Sequence, residues 1–144
     1  MINALLVVVL AIVCSTSTFV PAFAVSVRNV YFSNGEVVPG QLYRSVGQLP
    51  GPTKEFTKGT DKVARLFIIF GDLDAHKISG ALKAADGRIV SRLNRQWPAY
   101  AGPVNPSWRF LTHGFNLERL QPGEYQLELL IDDDSKGTYT FTLR

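Results

Sequence analysis

The sequence predicts an all-β fold, a two-sheet antiparallel sandwich of about seven strands. From Val25 onward, apolar and polar residues alternate with period two, and no long window sustains a helical period. Gly or Pro punctuates the chain roughly every eight to twelve residues, the spacing of short strands joined by turns. The composition, 46% hydrophobic and 19% charged over 144 residues, excludes a disordered or fibrous chain and suffices for one buried core.

The N-terminal segment sets the environment. Residues 1–24 carry no charge, Ala4 to Val13 is an unbroken apolar run, and Pro21-Ala22-Phe23-Ala24 places small residues three and one positions before a cut after Ala24. These are the marks of a cleavable secretory signal peptide, and the apolar run is short for a membrane span. Cleavage leaves residues 25–144 as one domain. The only cysteine, Cys14, and the only methionine, Met1, go with the removed piece, so the exported domain has no disulfide, thiol nucleophile or thiolate metal ligand. The expected location is secreted or periplasmic, with membrane contact only through the transient signal peptide and no role for nucleic acid.

The elements follow in order. Residues 26–32 form the first strand. Residues 33–61 are irregular, with Pro39, Pro50 and Pro52 among glycines and a short strand near 41–44, so 25–60 reads as an N-terminal strand plus a long loop and 61–144 as the sandwich core. Strand 62–71 is apolar on both sides (Ala64, Leu66, Ile68 and Phe70 against Val63, Phe67 and Ile69), which predicts a central strand with the long loop as its outer cover.

Strands 76–85 and 88–97 flank Asp86-Gly87, a two-residue type I′ turn signal that pairs Ala85 with Arg88 and fixes the rest by counting. One face then collects Ala84, Ile89, Leu82, Gly80, Leu93, Ile78, His76 and Trp97; the other carries Lys77, Lys83, Arg88 and Arg92. Arg95 falls on the apolar side opposite Ile78, which implies a bulge or a rim position. Strand 107–116 follows. Strands 124–131 and 137–143 close a second hairpin, with Asp133-Asp134-Ser135 at its tip.

Leu120-Gln121-Pro122-Gly123-Glu124-Tyr125, followed by alternating Leu127, Leu129 and Ile131, resembles the approach to the penultimate strand in fibronectin type III and related immunoglobulin-like domains. In that family the tyrosine hydroxyl returns to the backbone just upstream. The resemblance, which covers residues 61–144, implies an exported bacterial immunoglobulin-like sandwich, with Tyr125 as the corner residue, Leu120 beneath it and Pro122-Gly123 turning the chain. It also implies binding or assembly more than catalysis, since one such fold hosts many tasks.

The chemistry-bearing residues point the same way. His76 and His113 sit on strands without a nucleophile motif, and Asp72, Asp74, Asp86 and Asp132 to Asp134 fall at expected turns, where aspartate bonds its own backbone. Asp132-Asp133-Asp134 lacks the alternate spacing of a calcium loop. No enzyme activity, cofactor or metal is expected.

Two surfaces remain. Residues 88–119 carry five arginines against Glu118 alone, and Lys77, Lys83, Arg88 and Arg92 would share an outer basic patch that either meets an acidic partner or guards an edge. Residues 96–108 set Trp97, Tyr100 and Trp108 among three prolines, a rigid loop suited to an interface or to stacking on sugars. With Arg95 and Arg109 these aromatics form the expected binding surface. The function expected is a non-enzymatic interaction module for a protein partner or envelope component, with a carbohydrate-binding accessory domain using the Trp97–Trp108 loop as the alternative.

Overall fold

The computed structural model describes residues 26–104 and 106–144; the expected signal peptide lies outside them. Eight strands run in order: β1 (Val27–Ser33), β2 (Glu55–Phe56), β3 (Val63–Phe70), β4 (His76–Ala84), β5 (Ile89–Trp97), β6 (Arg109–Asn116), β7 (Gly123–Ile131) and β8 (Asp134–Leu143). The seven expected strands are present and β2 is added. Residues 41–44 are not a strand; the only regular element nearby is a single 3-10 turn at Val46–Gln48.

The strands form two sheets, β1-β3-β6 and β2-β8-β7-β4-β5. With the two-residue β2 set aside, strands one, two and five of seven face strands three, four, six and seven, which is the immunoglobulin-like arrangement. Between the sheets lie Leu66, Ile68, Phe70, Ile78, Leu82 and Leu127, all fully buried. The Tyr125 hydroxyl donates to the Gln121 carbonyl at 2.6 Å, closing a tyrosine corner at the start of β7 while its ring stacks on Phe141.

β3 is central and covered on both faces. Its inner side chains join the main core, and Phe67 and Ile69 on the outer side pack with Leu49 under Val37 and Tyr43 from the long loop. Hydrogen bonds from Tyr31 to the Pro50 carbonyl and from Ser33 to the Gly51 carbonyl, 2.9 and 2.6 Å, hold that cover down. Phe56 of β2 is 1% exposed, so the loop also contributes to the main core.

Both hairpin turns differ from the sequence reading. Counting from Asp86-Gly87 gives the observed pairs from His76↔Trp97 to Leu82↔Ser91, but the turn itself is not type I′. Only Gly87 has positive φ (85°); its N–H donates to the Ala84 carbonyl, and the Ala84 N–H donates to that of Arg88. Asp86 stays out of the left-handed region that type I′ demands, and its carboxylate accepts the Arg88 N–H at 2.9 Å. The extra loop residue is absorbed where Lys83 pairs with Ile89, and this bulge turns Ile89 outward instead of into the core. The β7–β8 turn is the one with two positive-φ residues, Asp132 (53°) and Asp133 (66°), closed by Ile131↔Asp134. The tip is therefore Asp132-Asp133 and not Asp133-Asp134-Ser135.

Candidate binding surface at one end of the sandwich

The loop after β3, the start of β4, the end of β5, the start of β6 and the β7–β8 turn meet at one end of the sandwich. His76 anchors this end. The residue is 5% exposed, and its ring lies flat on Phe70, with centroids 4.9 Å apart and planes 11° from parallel. Nε2 is 2.6 Å from Asp72 Oδ1 and Nδ1 is 2.7 Å from Asp132 Oδ2. Ionised carboxylates only accept hydrogen bonds, so both ring nitrogens donate and the ring is an imidazolium.

Burial alone would lower the His76 pKa, but the hydrogen bonds to Asp132 and Asp72 and their negative charges outweigh it and raise the value above the ordinary range. The two carboxylates move the other way. Burial would raise Asp72, yet the bond with His76, the Asp74 and Ser26 N–H groups and the imidazolium charge hold it below its usual value. Asp132 is likewise lowered against its desolvation, by the Lys77 N–H, by His76 and by Lys136. The carboxylates occupy opposite ring nitrogens and so cannot converge on one ion, and no cluster suited to a metal occurs among the described residues.

Arg109 completes the frame. Its Nε donates to the Asp72 carbonyl at 3.2 Å, Nη1 to that of Pro98 at 2.9 Å, and Nη2 to that of Asp74. The guanidinium carbon is 4.0 Å from the centroid of the Trp97 ring, which in turn packs on Phe70. Arg109 and Trp97 are thus built into the structure and do not reach out as free ligand contacts.

Beside this frame runs an open groove of about 470 Å³, lined by Leu42, Tyr43, Tyr100, Trp108, Arg109 and Phe110 among others. Trp108 stacks on Phe110 and belongs to the small core outside β3. Tyr100 is 38% exposed; its N–H donates to the Leu73 carbonyl at 2.9 Å, and Gly102 lies so close to its ring that any Cβ there would overlap it. Leu42, at 77%, is the most exposed large apolar side chain among the described residues.

The five residues expected as one surface therefore divide. Trp97 and Arg109 are framework, although Arg109 also edges the groove; Tyr100 and Trp108 line it; Arg95 does not. β5 is the outermost strand of its sheet, so Arg95 opposite Ile78 reaches solvent at the rim. His113, half-buried and edge-on to Phe115 at 4.8 Å, has its pKa lowered by burial and then by the Arg95 charge.

The basic patch is not a free positive field. Lys77 pairs with Asp133 at 3.0 Å, Lys83 with Glu128 at 2.9 Å, and Arg88 lies 4.0 Å from Asp86; Arg92 alone of the four has no such partner among the described residues. The reason is topological: β4 also pairs with β7, which sets Glu128 beside Lys83. The Asp72–His76–Asp132 clasp escaped sequence reasoning because its acids come from two loops far apart in the chain. The only signal was His76 falling on the inward phase of its strand.

No protein-family model and no curated protein matches the chain. Among solved structures, an immunoglobulin-like protein of Pseudomonas aeruginosa is 13% identical, with a TM-score of 0.45, over 83% of this chain and 96% of that one. The alkylpurine DNA glycosylase AlkC of Pseudomonas fluorescens, bound to DNA containing an abasic-site analogue, is 13% identical with a TM-score of 0.42. That match covers 63% of this chain, which spans only 27% of the glycosylase. From its own strand order and tyrosine corner, the chain is an immunoglobulin-like β-sandwich.

Proposed function

We propose that the chain is an exported, non-enzymatic interaction module that binds a protein partner or cell-envelope component through the groove between residues 41–44 and 100–110. The observation that carries this reading is the gathering of exposed apolar side chains there. Leu42 and Tyr100 line the groove, Val104 lies in the second segment, and Val38 and Val46 flank the first in sequence; together these are five of the six large apolar residues left exposed among the described residues. Such a concentration marks a contact surface more often than chance. The frame beneath is tied by the Arg109 hydrogen bonds to the Asp72 and Pro98 carbonyls and by its packing on Trp97, which reduces the ordering entropy lost on binding.

Export rests on the uncharged N-terminal segment with its small residues before Ala24. Tyr100 supports the second reading, a glycan ligand, because it offers a partly exposed ring at the groove wall.

A photo-crosslinker placed at Leu42 in cells tests the first reading, with the same probe at Thr140 on the other sheet as control. A discrete adduct from Leu42 alone, lost on Tyr100→Ala, supports a protein partner. Retention on an envelope polysaccharide, abolished by Tyr100→Ala with folding intact, supports the glycan reading. Equal labelling from both positions and no retained glycan refutes the groove.

A further inference from the structure

We propose that the open edge of β5, over Ser91–Trp97, accepts an extended acidic segment of another protein as an added strand. This surface is separate from the groove. β5 pairs with β4 alone, so one of its backbone edges has no neighbour in the sheet. Of the other edges, β2 has two residues, β1 is overlaid by the segment whose Thr53 N–H donates to the Phe32 carbonyl at 2.7 Å, and β6, the other long open edge, lacks the unpaired arginine pair that β5 presents at mid-strand. The bulge where Lys83 meets Ile89 confines the regular part of β5 to Ser91 onward, long enough for a strand of about seven residues.

Charge selects the occupant. Arg92, Asn94, Arg95 and Gln96 are all exposed, and neither arginine has an acidic partner within 4.0 Å among the described residues. β6, the strand at the same flank of the opposite sheet, contains no acidic residue either. A second copy of this chain is disfavoured, since pairing two β5 edges gathers four arginines with no acid among them. An incoming acidic strand instead gains both ladder hydrogen bonds and ion pairs. Arg92 and Arg95 are three apart and so lie on opposite faces of the sheet. The fitting segment carries acids three positions apart, one for each face.

The probe is the capped peptide Thr-Glu-Val-Thr-Glu-Val-Thr titrated into ¹⁵N-labelled protein. Amide shifts confined to Ser91–Trp97 and the facing residues of β4 are expected. So are at least tenfold weaker binding in the double variant Arg92→Glu/Arg95→Glu and recovery when the peptide glutamates are changed to lysine. Methylating alternate peptide nitrogens should abolish binding, which separates strand addition from attraction of charge alone. No shifts at millimolar peptide, shifts located elsewhere, or binding unchanged by methylation or charge reversal would overturn the proposal. None of these results touches the groove, which is tested at Leu42 and Tyr100.

Discussion

Replacing His76 by Gln removes the cation from between Asp72 and Asp132 while keeping a side chain of similar reach. Hydrogen bonds to charged groups contribute roughly 1.5–3 kcal/mol each, and removing one partner of a buried pair leaves the other uncompensated. The Asp132 carboxylate is 39% exposed, so water screens its share and the two bonds do not count in full. His76→Gln should therefore destabilise the domain by about 2–3 kcal/mol near pH 6, a fall in Tm of roughly 10 °C for a domain of this size. The pH dependence follows from the directions of the shifts. The raised pKa of His76 means that its contribution is complete below its unfolded value of about 6.5 and is lost as pH rises through the higher folded value. Asp72 and Asp132 are lowered, so theirs is present above about pH 4 and lost as pH falls through the folded values. Wild type should be most stable relative to the variant between about pH 4 and 6.5, and the gap should narrow toward both extremes. Urea unfolding of both proteins from pH 3 to 10 measures it. A gap that stays constant across that range would show that the imidazolium is not what holds this end together.

Tyr125→Phe removes only the hydroxyl bonded to Gln121, and should lower stability by about 1 kcal/mol in urea unfolding without changing the m-value. Gly80→Ala would place a Cβ 2.9 Å from the Glu128 carbonyl oxygen and 3.1 Å from Leu127 Cδ1; the strands must part, at a cost of about 1–3 kcal/mol measured by thermal melting. Arg109→Lys keeps the charge but cannot span the carbonyls of Asp72, Asp74 and Pro98. Amide exchange should speed up at Tyr100, whose N–H is bonded to Leu73 in the gripped loop, while the β7–β8 ladder keeps its protection.

What could be read from the chain depended on whether local pattern decided the outcome. β3 was legible because a strand apolar on both sides has to be covered twice, and Leu49, Val37 and Tyr43 supply the second cover. The first hairpin was legible away from its turn: the inward phase of Ile78, Leu82 and Leu93 fixes the register, and the bulge near Ile89 absorbs the misjudged loop. Glu55-Phe56 has no periodicity to show at two residues long, and its partner strand lies at the far end of the sequence. The acidic turn looked like a solvated tip because nothing near Asp132 in sequence shows that His76 waits across the fold. Arg109 looked like a ligand contact for the same reason, since its three carbonyl partners come from two other loops.

The short parallel pairing of β2 with β8 bears on how the chain matures. Glu55 and Phe56 lie beside Thr142 and Leu143, and the Arg144 N–H donates to the Phe56 carbonyl at 2.8 Å, joining positions separated by most of the domain. Contacts of such wide separation form late, because the intervening chain must first be brought together. Until the final strand arrives, Phe56 has no seat and the sandwich stays ajar. The domain would thus remain pliable until β8 is laid beside β7 and β2, and lock only then.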